Sequence, residues 1–242
     1  DLDRVTEDLT TGGATVAAHA ANLLDSDDRR GLLDWIRDRA PLDVLLNNAG
    51  IGHYSPFAAS DWDDIERVSS LVASAPTWLI HSLLPSLIGR PEAAIVNVSS
   101  ASARIPYPGL AVYAASKAYL SSLSQTLATE LDDTSVRVLC LHPGFVQTDF
   151  FEAAGMDMRH VPRWAISSAE KVAKRIVRML EKNDPWAYSD LATPIELGLA
   201  ATIPHCIRPK VFRKLFWDLP ATDEAETRGS RDSGPEEGGR NA

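Results

Sequence analysis

The chain has 242 residues, 45% of them hydrophobic, enough to bury a full core within a single α/β domain. A net charge of −9 excludes the basic surface that non-specific nucleic-acid binding requires. Two cysteines, Cys140 and Cys206, exclude a disulfide framework and read as reduced thiols, so the expected location is cytoplasmic.

Residues 2–9 predict a helix stopped at Gly12, and residues 14–20 a short apolar strand. Ser26 is placed to cap a helix carrying Leu32, Leu33 and Ile36, which Pro41 ends. Residues 44–47 are apolar enough for a parallel strand covered on both faces. Ser60-Asp61-Trp62-Asp63 resembles a capping box and opens a long helix bearing Ile65, Val68, Leu71, Val72, Leu79, Leu83 and Leu84, which Pro76 should kink. Residues 94–98 predict a strand, 112–131 a helix and 136–141 another strand. An irregular stretch over 145–166 contains Met156, Met158 and Trp164. Ser167, with Glu170 three residues on, is placed to cap a helix carrying Val172, Ile176 and Leu180, and residues 186–189 predict a last strand. This alternation predicts an α/β fold with a doubly wound parallel sheet over residues 1–190. Residues 191–217 read as a helical extension. Residues 218–242, rich in Gly, Pro, Ser, Asp and Glu, read as a disordered tail. No run of 18 consecutive apolar residues is found, so no membrane span is expected.

The segment Ser99-Ser100…Tyr113-Ala114-Ala115-Ser116-Lys117 carries chemistry. Tyrosine and lysine four apart share a helix face, so an ammonium can sit beneath a phenol. Bringing a phenol from its ordinary pKa near 10 to neutrality takes roughly 4 kcal/mol of preferential phenolate stabilisation, which a fixed cation helps supply. A serine from another element then holds a carbonyl or hydroxyl oxygen beside the phenol. On its own, Tyr-x-x-x-Lys also describes an exposed lysine beside a half-buried tyrosine.

Two neighbouring motifs change that reading. Asn47-Asn48-Ala49-Gly50 follows the first apolar strand, and Pro143-Gly144-Phe145-Val146-Gln147-Thr148 follows the strand at 136–141. With Ser100 thirteen residues before Tyr113, this order resembles the short-chain dehydrogenase/reductase family over residues 1–190. The resemblance implies a Rossmann-type sheet, an NAD(P) cofactor, a small-molecule substrate, a homo-oligomer, and hydride transfer between an alcohol and a carbonyl carbon. It implies Tyr113 as general acid-base, Ser100 as the hydrogen-bonding partner of the reacting oxygen, and Lys117 as the cation that depresses the phenol and binds the nicotinamide ribose. Asn47, Ala49 and Gly50 then approach the cofactor, as do Pro143, Gly144, Val146 and Thr148 along the nicotinamide. Asn22-Leu23 falls where the family has Asp-Leu against adenine. Turn chemistry is the plain alternative for Ser99-Ser100, for Asn47–Gly50 and for Pro143-Gly144.

The family's first βαβ unit, with its glycine-rich turn, is expected upstream of Asp1, roughly 35–45 residues in length. The choice between NAD and NADP rests on residues there. Thr11-Gly12-Gly13 is followed by a strand-like segment rather than a helix, so it reads as a helix stop rather than a phosphate turn. Val72 stands where the family has an asparagine that orders a proton-relay water, which leaves open a catalytically impaired binding or scaffold protein. An extended-type epimerase or dehydratase is a further alternative, against which Asn47–Gly50 speaks. His53 reads as solvated, with a place facing the substrate as the alternative, and His142 as structural. Residues 208–217 interleave Arg208, Lys210, Arg213 and Lys214 with Val211, Phe212, Leu215, Phe216 and Trp217. That pattern fits either a helix on an anionic membrane surface or one packed over the cleft or at a dimer interface. Phe150, Met156, Met158 and Trp164 point to an apolar ligand.

Overall fold

The structure is a computed structural model that describes residues 2–39, 41–159, 161–190, 192–204 and 206–216. The first half runs α1 (Leu2–Thr11), α2 (Ser26–Arg37), β1 (Val44–Asn47), α3 (Trp62–Ser69), α4 (Ala75–Ile88), β2 (Ala93–Val98) and α5 (Ala111–Glu130). The second half runs β3 (Val136–His142), β4 (Phe145–Gln147), α6 (Phe150–Ala153), β5 (Ile166–Ser168), α7 (Ala169–Lys182), β6 (Trp186–Tyr188), α8 (Ala192–Thr202) and α9 (Arg208–Phe216). β1, β2, β3 and β6 pair in that order, all parallel. Leu45 lies opposite Ile95, Ile95 opposite Val138, and Cys140 opposite Trp186.

Every residue of β2 is buried, as befits a parallel strand covered on both faces. One face packs Leu45, Ile95 and Val138 against Leu33 of α2 and Leu79, Leu83 and Leu87 of α4. The other packs Val96, Leu139 and Leu141 under Met179 of α7. β1 alternates: Leu45 and Asn47 point into the helix-covered face, while Val44 and Leu46 are 42% and 47% exposed on the other.

Several sequence expectations need correction. Residues 14–20 form no strand: a strand exists by pairing, and among the described residues no strand pairs with this segment or with the free edge of β1. α2 is capped by Asp25, whose carboxylate accepts the N–H groups of Asp27 and Asp28, rather than by Ser26. α7 is capped by Ser168, which accepts the Lys171 N–H, because Ser167 is held in β5. The irregular stretch contains β4 and β5, three residues each and paired in parallel, too short to leave a periodic signal. The glycine stop is as expected: Gly13 takes φ 88°, and the N–H groups of Gly12 and Ala14 return to the carbonyls of Asp8 and Leu9.

The long helix is continuous from Trp62 to Ile88 but widens to a π turn over Ser70–Ser74. Pro76 accounts for it. Proline has no N–H for the carbonyl of Val72 four residues back, and its ring would strike that carbonyl in a regular α-helix. Trp62–Ile88 is also the one helix among the described residues long and apolar enough to cross a bilayer. That qualifies the expectation of no span, since the apolar character is distributed rather than consecutive. Its residues Val68, Val72, Leu79, Ile80, Leu83 and Leu87 are buried against β1, β2 and α5. A core helix passes the same composition test.

At the other end, α9 buries Phe212, and Arg208 reaches back to the carbonyls of Ala201 and Ile203 at the end of α8. Trp217 and residues 218–242 lie outside the described residues, so the expectation of a tail falls there.

Candidate active site

The carboxyl ends of β1, β2 and β3 open on one cavity of about 550 Å³, the place where open parallel sheets bind ligands. Ser100 enters it directly after β2, in an extended conformation that caps a short 3-10 turn, Ala101–Ala103. The Ser99 N–H donates to the Leu141 carbonyl and the Ala101 N–H to the Pro143 carbonyl, each at 2.8 Å. The serine turn and the Pro143-Gly144 turn are thereby stitched together, extending the β2–β3 ladder past its end.

α5 supplies Tyr113 and Lys117 from one face. Ser99, 2% exposed, donates its hydroxyl to the Lys117 carbonyl at 2.8 Å and pins the helix to β2. The Lys117 ammonium is buried, donates to the Val98 carbonyl at 2.6 Å, and lies 5.7 Å from the centre of the Tyr113 ring. Burial pulls its pKa down to about 8, with the Cys140 thiol working weakly the other way. The expectation that Lys117 depresses the Tyr113 phenol is not met in direction. Burial pushes the phenol above its ordinary pKa, and only a hydrogen bond with Ser100 works against the rise. Desolvation of the phenolate outweighs that hydrogen bond.

Of the residues anticipated from sequence, Ser100, Tyr113, Lys117, Gly50, Pro143, Gly144, Val146 and Thr148 line this cavity together. Asn47 does not. The alternation of β1 turns it inward, where its amide donates to Asn97, whose own amide donates to Ser124, each at 2.8 Å. Asn48, one residue on, faces the cavity instead, and the period-2 pattern of the strand was the signal that could have found it. Ala49 is exposed and outside the lining. Asn22 and Leu23 lie away from it as well, with the Asn22 side chain accepting from the Leu24 N–H and the Leu23 carbonyl from Arg29.

The remaining wall is apolar. Phe150, Phe151, Tyr107, Leu110 and Phe145 line it, and Phe150 sits 5.2 Å from Tyr113. Met156 and Met158 stand behind this wall, packed on Tyr107 and Leu110. Trp164 is 71% exposed and is not part of it. Val172 and Ile176 of α7 close the far side. Gly144 allows a close approach: a β-carbon there would lie 2.7 Å from the Thr193 hydroxyl. Asp190 holds that region, accepting from the Thr193 N–H and hydroxyl, from Ser189 and from Ser167. Partial burial would raise its pKa, yet these four donors leave it below the usual carboxylate value.

Val72 is 1% exposed at the π turn, and its methyl group comes 3.9 Å from where a β-carbon on Gly50 would be; Lys117 Nζ comes 3.8 Å from the same point. An apolar side chain therefore sits at the position anticipated for an asparagine. His53 faces Asp64 at 3.7 Å, not the main cavity. His142 is structural: fully buried, it shares a hydrogen bond with Ser121 at 3.0 Å, lies 4.0 Å from the Trp186 ring, and burial brings its pKa to about 4.

A sequence model described as short chain dehydrogenase matches residues 1–159. An uncharacterized oxidoreductase of Myxococcus xanthus is 27% identical over 219 residues, 88% of this chain and 83% of that protein. Dehydrogenase/reductase SDR family member 4 of Homo sapiens is 30% identical over 162 residues, 65% of this chain and 57% of its own length. A short chain dehydrogenase of Pseudocercospora fijiensis is 30% identical over 151 residues, and the match spans only 49% of it. Among solved structures, a short-chain dehydrogenase from Sphingobium yanoikuyae in complex with NADPH superposes with a TM-score of 0.73 at 24% identity, covering 84% of this chain and 83% of that one. One from Burkholderia phymatum in complex with NAD gives 0.72 at 21% identity, covering 83% and 80%. Both share the fold of this chain.

Proposed function

Because the chain belongs to the short-chain dehydrogenase family of oxidoreductases, we propose that it interconverts an alcohol and a carbonyl with NAD(P), through Ser100, Tyr113 and Lys117. The observation that carries this reading is the convergence of those three side chains, from two elements, on one cavity at the carboxyl edge of a parallel sheet.

The residues present fit the nicotinamide end of such a cofactor. Gly50 borders the cavity with Lys117 Nζ close by, Gly144 lets Thr193 pack tightly against the turn, and Asn48, Pro143, Val146 and Thr148 complete the lining. These residues would hold the nicotinamide and its ribose. Two relatives in fold were solved with NADPH and with NAD, which accords with the same class of cofactor here. The bound dinucleotide supplies or accepts the hydride. Tyr113 gives the proton to the substrate oxygen or takes it, and Ser100 donates a hydrogen bond that holds that oxygen beside the phenol. Lys117, anchored on Val98, keeps positive charge under the phenol at neutral pH. The aromatic wall excludes water and favours an apolar carbonyl substrate of small-molecule size.

The full-length protein is tested by following reduced-nucleotide absorbance at 340 nm with NADH or NADPH and a panel of apolar ketones. Turnover is expected, and Tyr113→Phe is expected to lower kcat at least about 100-fold with the fold intact. Near-wild-type turnover in that variant removes Tyr113 from the mechanism. A second reading, a binding protein of the same family without turnover, is favoured by one observation: Val72 presents a methyl group toward Gly50 where a hydrogen-bonding side chain was anticipated. Nucleotide binding with no turnover in any panel member would establish it.

A further inference from the structure

A hydroxyl has one proton to donate and two lone pairs that accept. At Ser100 both lone pairs are met by the same neighbour. The Ser102 N–H donates to Ser100 Oγ at 3.2 Å, and the Ser102 hydroxyl lies 3.0 Å from it as a second donor. The backbone bond fixes its own direction, since an amide can only donate. In the serine pair the Ser102 hydroxyl is the donor and Ser100 Oγ the acceptor, which leaves the single Ser100 proton for the cavity that Tyr113 also lines.

Ser102 is well placed for this work. It is 9% exposed and lies in the middle of the 3-10 turn that Ser100 caps. The turn cannot drift, because the Ala101 N–H is bonded to Pro143 on the next strand connection. Ser102 itself also borders the cavity. Two donors aimed at one oxygen polarise it and leave only its O–H for the cavity.

We propose that Ser102 is a positioning residue that locks the Ser100 hydroxyl as a donor toward the reacting oxygen. The inference rests on the reading of Ser100 and Tyr113 given above and deepens it. A donor of fixed polarity matches an oxygen that only accepts, a ketone or aldehyde carbonyl or the alkoxide that forms from it. Without Ser102, Ser100 regains a free lone pair and can turn its proton away from the substrate or accept from the Tyr113 phenol. Both arrangements withhold the bond that the developing alkoxide needs.

The test is a double-mutant cycle in the full chain, read with the ketone on which the wild type turns over. Ser102→Ala is expected to lower kcat and kcat/KM together by about 5- to 10-fold, the worth of one hydrogen bond made in the transition state. Nucleotide affinity and melting temperature are expected to stay at wild-type values. Ser102→Thr, which keeps the hydroxyl, is expected to restore kcat. In a Ser100→Ala background the Ser102→Ala change is expected to have no further effect, because the group it orients is gone. Wild-type kcat in Ser102→Ala, or the same fold-loss on top of Ser100→Ala, overturns the proposal. A second measurement does not depend on turnover: neutron diffraction from deuterium-exchanged crystals is expected to place the deuteron of the serine pair on Ser102. A Ser100 deuteron aimed at Ser102 overturns the assignment whatever the kinetics. Loss of activity in Ser100→Ala bears on the functional reading alone, so the two failures are distinguishable.

Discussion

At the scale of single residues, the site pairs two groups that burial drives in opposite directions. The Tyr113 phenol is held above its ordinary pKa and the Lys117 ammonium is drawn down to about 8. Lys117 therefore makes a pH-dependent contribution to stability. The unfolded lysine keeps its proton up to about 10.5, while the folded one gives it up near 8, so the unfolded state binds more protons across that window. Stability from this group must rise with pH between 8 and 10.5, and the penalty of a buried charge is fully present below 8. Lys117→Met removes the titration. Urea midpoints at pH 7 and pH 10.5 are expected to show the difference between variant and wild type shifting by roughly 3 kcal/mol in favour of the wild type as pH rises. A difference independent of pH would mean that Lys117 is not desolvated as its burial indicates. The same variant is expected to bind reduced nucleotide more weakly if the lysine also meets the ribose.

At the scale of elements, the loops around the site are held by close contacts at glycines. Gly109 takes φ 84°, and a β-carbon there would run into the Tyr54 ring. The same residue's carbonyl accepts the Ser55 N–H at 2.9 Å, and the Tyr54 N–H donates to Ala154 at 2.8 Å. One loop, residues 52–55, thus joins the segment leading into α5 to the segment after α6. Gly109→Ala combines backbone strain with steric overlap and is expected to destabilise the chain by about 2 kcal/mol or more. Chemical denaturation checks it, and a loss under about 0.5 kcal/mol would show that Tyr54 swings away freely. The π turn belongs to this scale too. Pro76 lacks the N–H that the Val72 carbonyl would accept in a regular turn, and the helix widens there.

At the scale of the whole molecule, the sheet has an open side. Among the described residues β1 is paired only with β2, and its outer face shows Val44 and Leu46. An unpaired apolar edge is a template for association with another chain. The double substitution Val44→Lys with Leu46→Lys is expected to shift light-scattering mass toward the monomer at micromolar concentration. The melting temperature should hardly change, because both side chains are about half exposed. An unchanged distribution of masses would show that this edge plays no part in association.

The sequence by itself determined the elements whose signal is local. The strand at 44–47, the helix that carries Tyr113 and Lys117, and the turns at Ser100 and Pro143-Gly144 all follow from apolar runs, helical spacing and turn residues, and the structure has them at those positions or within a residue or two. Helical spacing likewise placed Tyr113 and Lys117 on one face, while Ser100 and Gly144 stood out only because their motifs resemble those of the family. Tertiary structure alone decided the rest, because it depends on what a segment meets. Residues 14–20 have strand composition but no neighbour to pair with, so they stay unpaired. Asn47 and Asn48 are chemically identical, and only the side of the sheet that α4 and α5 cover decides which is buried against Asn97 and which borders the cavity. The direction of the Tyr113 shift was likewise invisible, since it turns on how much water Phe150 and the surrounding wall remove from the phenol, and desolvation is a property of the packed fold rather than of spacing along the chain.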